Sequence, residues 1–235
     1  MIKATGFAPA HVTGFFKIYK NGSTGAGLNL SEGVTTTVIL KKTKKQKIHI
    51  FINGKENRAQ TSRSVIKKYV SLAKQKYFIK VLHKTNLPIG YGLGASGAGA
   101  FSLSLALNKA LKTNVSFKKA MQIAARAEIE NGTGLGDVIA QQFSGVIRGL
   151  PPFPSKKAAK ISSDKKYCVC AFFGPIKTAT IIRDKNWKKC VNKIGSYCMK
   201  EITKKPTLEN FEMLSRKFSI ESTLATKKVL QVMKT

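Results

Sequence analysis

Negative charge is scarce in this 235-residue chain: 42 lysines and arginines face 11 aspartates and glutamates, a formal net charge of +31. Residues 1–127 hold two acids, Glu32 and Glu56. Histidines number three, and the four cysteines, Cys168, Cys170, Cys190 and Cys198, all lie in the C-terminal third. Cys168-Val169-Cys170 leaves one residue between thiols, which excludes the usual zinc spacing of two to four. On a strand, Cys168 and Cys170 share a face and are expected inside as small hydrophobes. His49 and His83 fall in alternating, strand-like runs, and His11 is expected to make a structural hydrogen bond. No apolar run is long enough to span a bilayer. Tyr167 to Ile182 is broken by Gly174, Pro175 and Lys177 and reads as two strands, Tyr167–Phe173 and Thr178–Arg183. Gly6, Pro9, His11 and Gly14 stand where a secretory signal would carry its apolar core. The expectation is a soluble cytoplasmic protein with no membrane partner.

The positive charge invites a nucleic-acid reading. The lysines are spread along the whole length, however, at Lys41 to Lys47, Lys67-Lys68, Lys118-Lys119, Lys156-Lys157, Lys204-Lys205 and Lys227-Lys228. They do not gather with aromatics in one motif, so no nucleic-acid partner is expected. Lys41 to Lys47 reads as a solvated hairpin between Val34–Leu40 and Ile48–Ile52. A helix near Ser62–Lys74, a strand near Tyr77–His83, and helices over Asn186–Glu201 and Leu208–Lys234 complete the outline. With 43% hydrophobic residues the chain can bury one large or two small cores. Pro151-Pro152-Phe153-Pro154 marks a boundary between domains 1–155 and 156–235.

Against this background Pro88 to Ala100, P-I-G-Y-G-L-G-A-S-G-A-G-A, stands out, with five glycines between Gly90 and Gly99 and one serine, Ser96. An extended run precedes it and a helical run, Ala98 to Leu111, follows. Glycine permits φ > 0 and lets main-chain N–H groups approach a ligand. Before a helix N-terminus such a loop cradles an anion, most often phosphate. Ser96 adds a hydroxyl suited to a metal riding on that phosphate. Gly92 to Gly97 fits G-x-G-x-x-G, but a dinucleotide fold needs an acid about 20 residues on. None occurs between Glu56 and Glu128. A Walker A loop ends in Gly-Lys-Ser/Thr, whereas Ser96 is followed by Gly97-Ala98, and the protein-kinase signatures are absent.

Three of the eleven acids fall within ten residues: Glu128, Glu130 and Asp137. Ser116 is a fitting N-cap and Asn131-Gly132 a fitting stop for a helix over Phe117 to Glu130. Phe117, Met121, Ala124 and Glu128 then share one face, so Glu128 points inward. An inward carboxylate needs a base or a metal. Gly132-Thr133-Gly134-Leu135-Gly136 is a flexible turn presenting Asp137, before a short helix from Val138. Asp137 serves a substrate, caps that helix, or does both.

Three segments resemble the GHMP superfamily of small-molecule kinases: Ala8-Pro9-Ala10-His11-Val12, Pro88 to Ala100, and Gly134-Leu135-Gly136-Asp137. Within it, Ala8 to Phe16, Gly22 to Gly27, Gly33-Val34 and Glu128 to Val138 are similar to the archaeal pantoate kinase family. The resemblance covers roughly residues 5–152. It implies an α+β fold of two domains. These are an N-terminal α/β domain like domain 2 of ribosomal protein S5, carrying ATP and catalysis, and a shortened C-terminal α+β domain. It implies ATP-dependent phosphorylation of pantoate to 4-phosphopantoate in coenzyme A biosynthesis. Pro88, Gly90, Gly92, Leu93, Gly94, Ala95, Ser96, Gly97 and Ala98 would wrap the ATP phosphates. Ser96 and Glu128 would hold Mg²⁺, and Asp137 would accept or orient the proton of the attacking hydroxyl. Ser23 and Arg148 would contact pantoate, guanidinium being suited to two-pronged carboxylate binding. A homodimer is a further expectation.

The chain departs from the family in three places. Ala95 stands where the loop has its first serine. Ala125 stands where the family often carries a histidine one turn before the metal-binding glutamate. No glycine follows Gly195 and the chain stops at Thr235, so the family's third glycine-rich motif is not expected here. Mevalonate or shikimate kinase is the alternative reading, followed by a basic nucleic-acid-binding module.

Overall fold

Lys20 and Asn21 alone join two long strands, β1 (Ile2–Tyr19) and β2 (Gly22–Lys42), which pair with each other. A link that short permits only an antiparallel pair. Neither strand was expected at this length, because glycines at 6, 14, 25, 27 and 33 interrupt the apolar alternation. The computed structural model describes residues 1–134, 136–151, 157–162, 167–175 and 185–233. It forms two compact units, and β1 and β2 contribute to both. The first comprises Met1–Ala10, Ser31–Pro88 and Gly94–Gln142; the second comprises His11–Leu30, Ile89–Leu93 and Phe143–Thr235.

In the first unit β3 (Lys47–Ile52) runs parallel to β5 (Tyr77–Lys84), β5 runs antiparallel to β2, and the short β4 (Lys55–Glu56) edges the sheet. The expected hairpin across Lys41 to Lys47 is therefore not formed, because β5 lies between β2 and β3. The cause is α1 (Gln60–Ala73), which carries the chain from β3 back to a parallel position, the usual crossover arrangement. Register then stacks fully buried side chains: Val38 opposite Val81, Leu40 opposite Ile79, and Ile50 opposite Val81. These form one core with α1, α2 (Ala95–Leu111) and α3 (Phe117–Asn131).

Helix α2 is buried on nearly every side, through Gly97 to Ser104, Ala106, Leu107 and Ala110. Its polar members are satisfied internally: Ser104 Oγ donates to the Ala120 carbonyl, and Ser102 Oγ lies 2.5 Å from Thr36 Oγ1. Thr36 Oγ1 is also 2.7 Å from His83 Nδ1, whose Nε2 is 3.0 Å from Ser62 Oγ. Burial pushes the His83 pKa down to about 4, so this histidine is a neutral core element.

Helix α3 starts and stops as the sequence predicts. Ser116 accepts from the Lys119 amide, and Gly132 closes the helix at φ 65°. Phe117 is 52% exposed rather than inward; it meets Phe101 edge-on from the first turn. The short helix after the turn is α4 (Asp137–Ala140).

In the second unit β6 (Gly145–Gly149) pairs antiparallel with β2, and β7 (Ala158–Ser162) with β6. Helices α5 (Lys185–Lys204) and α6 (Leu208–Glu221) pack their apolar faces on the β1 segment that enters this unit. Phe16 is 5.2 Å from Phe218 and Phe15 is 6.0 Å from Phe211, ring centre to ring centre. The Asn192 amide brackets Ile18, accepting from its N–H and donating to its carbonyl. The continuous helix expected over Leu208–Lys234 is two helices. Thr223 turns left-handed at φ 59°, and Thr226 caps a new helix, α7 (Lys227–Val232).

Tyr167–Phe173 is exposed and irregular rather than a strand, with no ladder partner among the described residues. Cys168 and Cys170 are accordingly at the surface, not in a core. The strand expected over Thr178–Arg183 lies outside the described residues, as does most of the Pro151 to Pro154 boundary. Among the described residues no helix is long and apolar enough to cross a membrane.

Candidate active site

Gly90, Gly92 and Gly94 have φ of 88°, 81° and 60°, a conformation L side chains rarely adopt, so the loop after β5 is built on glycine of necessity. Gly94 is the N-cap of α2 but offers no side chain to the helix, and the first turn carries no acid. The Ala98 amide takes the Gly94 carbonyl at 3.0 Å. Helix geometry leaves the amides of Ala95, Ser96 and Gly97 without intrahelical partners. A 17-residue helix thus points its positive end and free amides at the loop, an arrangement that suits phosphate. Of the loop residues, Pro88, Gly94, Ala95, Ser96, Gly97 and Ala98 belong to the first unit, and Gly90, Gly92 and Leu93 to the second.

Ser96 and Glu128 are 32 positions apart and meet. The Ser96 hydroxyl donates to Glu128 Oε1 at 2.6 Å. The C-terminal turn of α3 folds back so that the Thr133 amide bonds the Glu128 carbonyl, and the Thr133 hydroxyl reaches the same Oε1 at 2.6 Å. Glu128 is 2% exposed. Burial raises its pKa to about 7, the two hydroxyls counteract, and the charge of Asp137 adds to the rise.

Glu128 was expected to be inward and paired with a base or a metal. In a chain with 42 lysines and arginines, none of the ion pairs among the described residues involves Glu128. Both hydroxyls reach Oε1, and no hydrogen bond reaches Oε2 among the described residues. Gly134 presses on that atom: a Cβ there would fall 2.2 Å from Oε2. A buried carboxylate with one free oxygen and a neighbouring hydroxyl is a donor set that fits Mg²⁺. That ion takes one or two protein carboxylates and completes its shell with phosphate and water. No group of three or more His, Cys, Asp or Glu gathers among the described residues.

Asp137 opens α4, and Gly136 is the N-cap, so the capping alternative for Asp137 does not hold. Its carboxylate is half-buried and makes no hydrogen bond or ion pair among the described residues. Gln141, one turn on, donates from Nε2 to the Gly94 carbonyl at 2.9 Å.

Ser23 and Arg148 both belong to the second unit. Arg148 sits opposite Ala26 in the β2–β6 register. Its Nε and Nη1 are buried with no hydrogen-bond partner among the described residues, and so is Thr24 Oγ1. Along Gly22–Ala26 burial alternates, with Gly22, Thr24 and Ala26 inside and Ser23 and Gly25 half-buried. Thr24, not Ser23, therefore shares the face of Arg148. His11 is structural as expected: Nδ1 is 2.8 Å from Asn29 Oδ1, and its ring covers Gly27.

Sequence reasoning missed Thr133, Gln141 and Thr24. Thr133 carried a signal, a hydroxyl directly after a helix-ending glycine. Gln141 carried none, because its partner is 47 positions away.

This geometry has relatives. The family described as GHMP kinases N terminal domain matches residues 63–145. The chain is 36% identical over 233 residues to a pantoate kinase of Methanocaldococcus jannaschii, covering 96% of this chain and 83% of that protein. It is 32% identical over 228 residues to a pantoate kinase of Thermococcus kodakarensis, covering 91% and 74%. A solved structure described as a phosphotransferase related to the CoA biosynthesis pathway superposes with a TM-score of 0.80 at 26% identity, over 98% of this chain and 79% of that one. Mevalonate pyrophosphate decarboxylase from Streptococcus pyogenes shares the fold alone, with a TM-score of 0.68 at 18% identity over 99% and 80%. With more than a third of its residues shared with a curated relative across nearly its full length, the chain belongs to the pantoate kinase family of the GHMP kinases.

Proposed function

We propose that this protein transfers the γ-phosphoryl group of ATP to the hydroxyl of pantoate, giving 4-phosphopantoate for coenzyme A synthesis in the cytoplasm. The observation that carries the reading is the Ser96–Glu128 pair beside the free Asp137 carboxylate at the N-terminus of α2. Phosphoryl transfer requires positioning and charge neutralisation more than covalent chemistry, and these parts supply both.

In this reading residues 1–155 carry the nucleotide and the catalytic carboxylate, and 156–235 form the C-terminal domain. The loop from Pro88 through Gly90, Gly92, Leu93, Gly94 and Ala95, with Ser96, Gly97 and Ala98, holds the phosphates through main-chain N–H groups. Ser96 and Glu128 would hold Mg²⁺, which when bound would neutralise the phosphate charge. Asp137 receives the proton of the attacking hydroxyl. A carboxylate is a weak base toward an alcohol. It takes the proton late, as bonding to phosphorus acidifies the hydroxyl. Arg148 binds the pantoate carboxylate through the two nitrogens that have no hydrogen-bond partner among the described residues.

The test is ADP release from Mg-ATP with pantoate, beside mevalonate and shikimate. Release with pantoate alone is expected, and loss of it in Asp137→Asn by ~10²–10⁴-fold with nucleotide binding retained. Release with another acceptor instead would refute the pantoate assignment.

A further inference from the structure

Gln141 is 2% exposed, yet only half of its amide is satisfied. Nε2 donates to the Gly94 carbonyl at 2.9 Å, while Oε1 is buried without a partner among the described residues. Gly94 is the left-handed residue that launches α2, and its carbonyl already accepts the first helical bond from Ala98. Gln141 follows Asp137 by four residues, and its amide closes the single turn of α4 on the Asp137 carbonyl at 2.9 Å. A four-residue helix has too few internal bonds to hold its own place. The side-chain bond to Gly94 ties the helix that presents Asp137 directly to the loop that begins α2.

The orphaned oxygen is aimed. The Cβ that Gly97 lacks would lie 3.2 Å from Gln141 Oε1 and 3.1 Å from Glu128 Oε2. Val138 Cγ2, at 3.2 Å, walls the third side. Two acceptors, one of them a carboxylate oxygen, thus converge over a backbone position with no side chain between them. A buried acceptor without a donor is costly, and the complement of Gln141 Oε1 beside a carboxylate oxygen is a cation with its bound water.

We propose that Gln141 is a positioning residue for phosphoryl transfer. Nε2 sets the register of the Asp137 helix against the glycine loop. Oε1 accepts a hydrogen bond from a water in the shell of the cation that Glu128 holds. This deepens the kinase reading of the first unit and rests on it. Outer-shell partners of a metal site are worth ~10–100-fold in affinity or rate.

Two variants separate the roles. Gln141→Met keeps the shape and removes both polar functions. Gln141→Glu keeps an acceptor but, when ionised, loses the donor to Gly94. Mn²⁺ replaces Mg²⁺ as the probe, and its affinity for the protein–ADP complex is read by electron paramagnetic resonance beside kcat and the KM for pantoate. Gln141→Met is expected to weaken Mn²⁺ by ~10-fold or more and to lower kcat at unchanged KM. Gln141→Glu is expected to retain wild-type Mn²⁺ affinity or better while kcat still falls. Wild-type Mn²⁺ affinity in Gln141→Met overturns the water-holding role. Wild-type kcat in Gln141→Glu overturns the tie to Gly94. If Gln141→Met does not fold, Gln141→Glu decides, and loss of Mn²⁺ affinity there overturns the proposal. A wild type that binds Mn²⁺ and ADP but leaves pantoate unphosphorylated defeats the substrate assignment, while the Mn²⁺ comparison still reads Gln141.

Discussion

Replacing Glu128 by Gln removes a group whose titration works against folding at neutral pH. The native carboxyl has a pKa of about 7 against an ordinary 4.5. The folded state therefore holds the proton more tightly than the unfolded chain. The resulting stabilisation is complete below pH 4.5 and is lost as the pH rises through 7. At 1.36 kcal/mol per pKa unit the loss amounts to about 3 kcal/mol.

His83 has the opposite sign. Its native pKa of about 4 lies below the ordinary 6.5, so its stabilisation is complete above pH 6.5 and is lost as the pH falls through 4. Between pH 4.5 and 6.5 the two groups cancel in the wild type. Glu128→Gln leaves the His83 slope alone. Its stability relative to wild type should thus rise by about 3 kcal/mol between pH 4.5 and 7. Urea unfolding at half-unit pH steps, with a chelator present, measures this difference. Saturating Mg-ADP should close the gap at pH 7 by binding the ionised carboxylate of the wild type. Parallel stability profiles for the two proteins across that window would refute the burial argument for Glu128.

Arg148→Met should stabilise the ligand-free protein by about 1–3 kcal/mol, because two guanidinium nitrogens are buried without hydrogen-bond partners among the described residues. Calorimetry checks this. The same change should raise the KM for pantoate by roughly 30-fold or more, the loss of a buried charge pair worth about 2 kcal/mol or more. Gly134→Ala drives a methyl to within 2.2 Å of Glu128 Oε2 and should cut Mn²⁺ affinity by ~10-fold or more, read by titration. Thr133→Val removes one of the two hydroxyls that hold the Glu128 pKa down. The acidic limb of the kcat/KM profile should move to higher pH, and an unmoved limb would exclude Glu128 as the titrating group.

Helix α3 and the glycine loop were legible because their signals are local. Ser116 and Gly132 bound α3 through contacts three or four residues long. The glycines at 90, 92 and 94 declare a left-handed loop, because only glycine adopts such φ without strain. The spacing of Phe117, Met121, Ala124 and Glu128 turned one carboxylate inward, and a lysine-rich chain made that carboxylate conspicuous. Likeness to the kinase family added roles for Ser96, Asp137, Ser23 and Arg148.

Only the tertiary structure decided which distant groups meet. Strand β5 lies between β2 and β3 because a helical crossover returns the chain in parallel, and no feature of Lys41 to Lys47 encodes that. The leucine- and lysine-rich tail breaks at Thr223, where a cap forms that its periodicity did not announce. The bond from Gln141 to Gly94 spans 47 positions, and the orphaned nitrogens of Arg148 follow from a register opposite Ala26. Inward direction is a property of one helix and can be read from its period. A pKa of about 7 is a property of everything packed around a carboxylate: the hydroxyls of Ser96 and Thr133, the charge of Asp137, and the water that the fold keeps out.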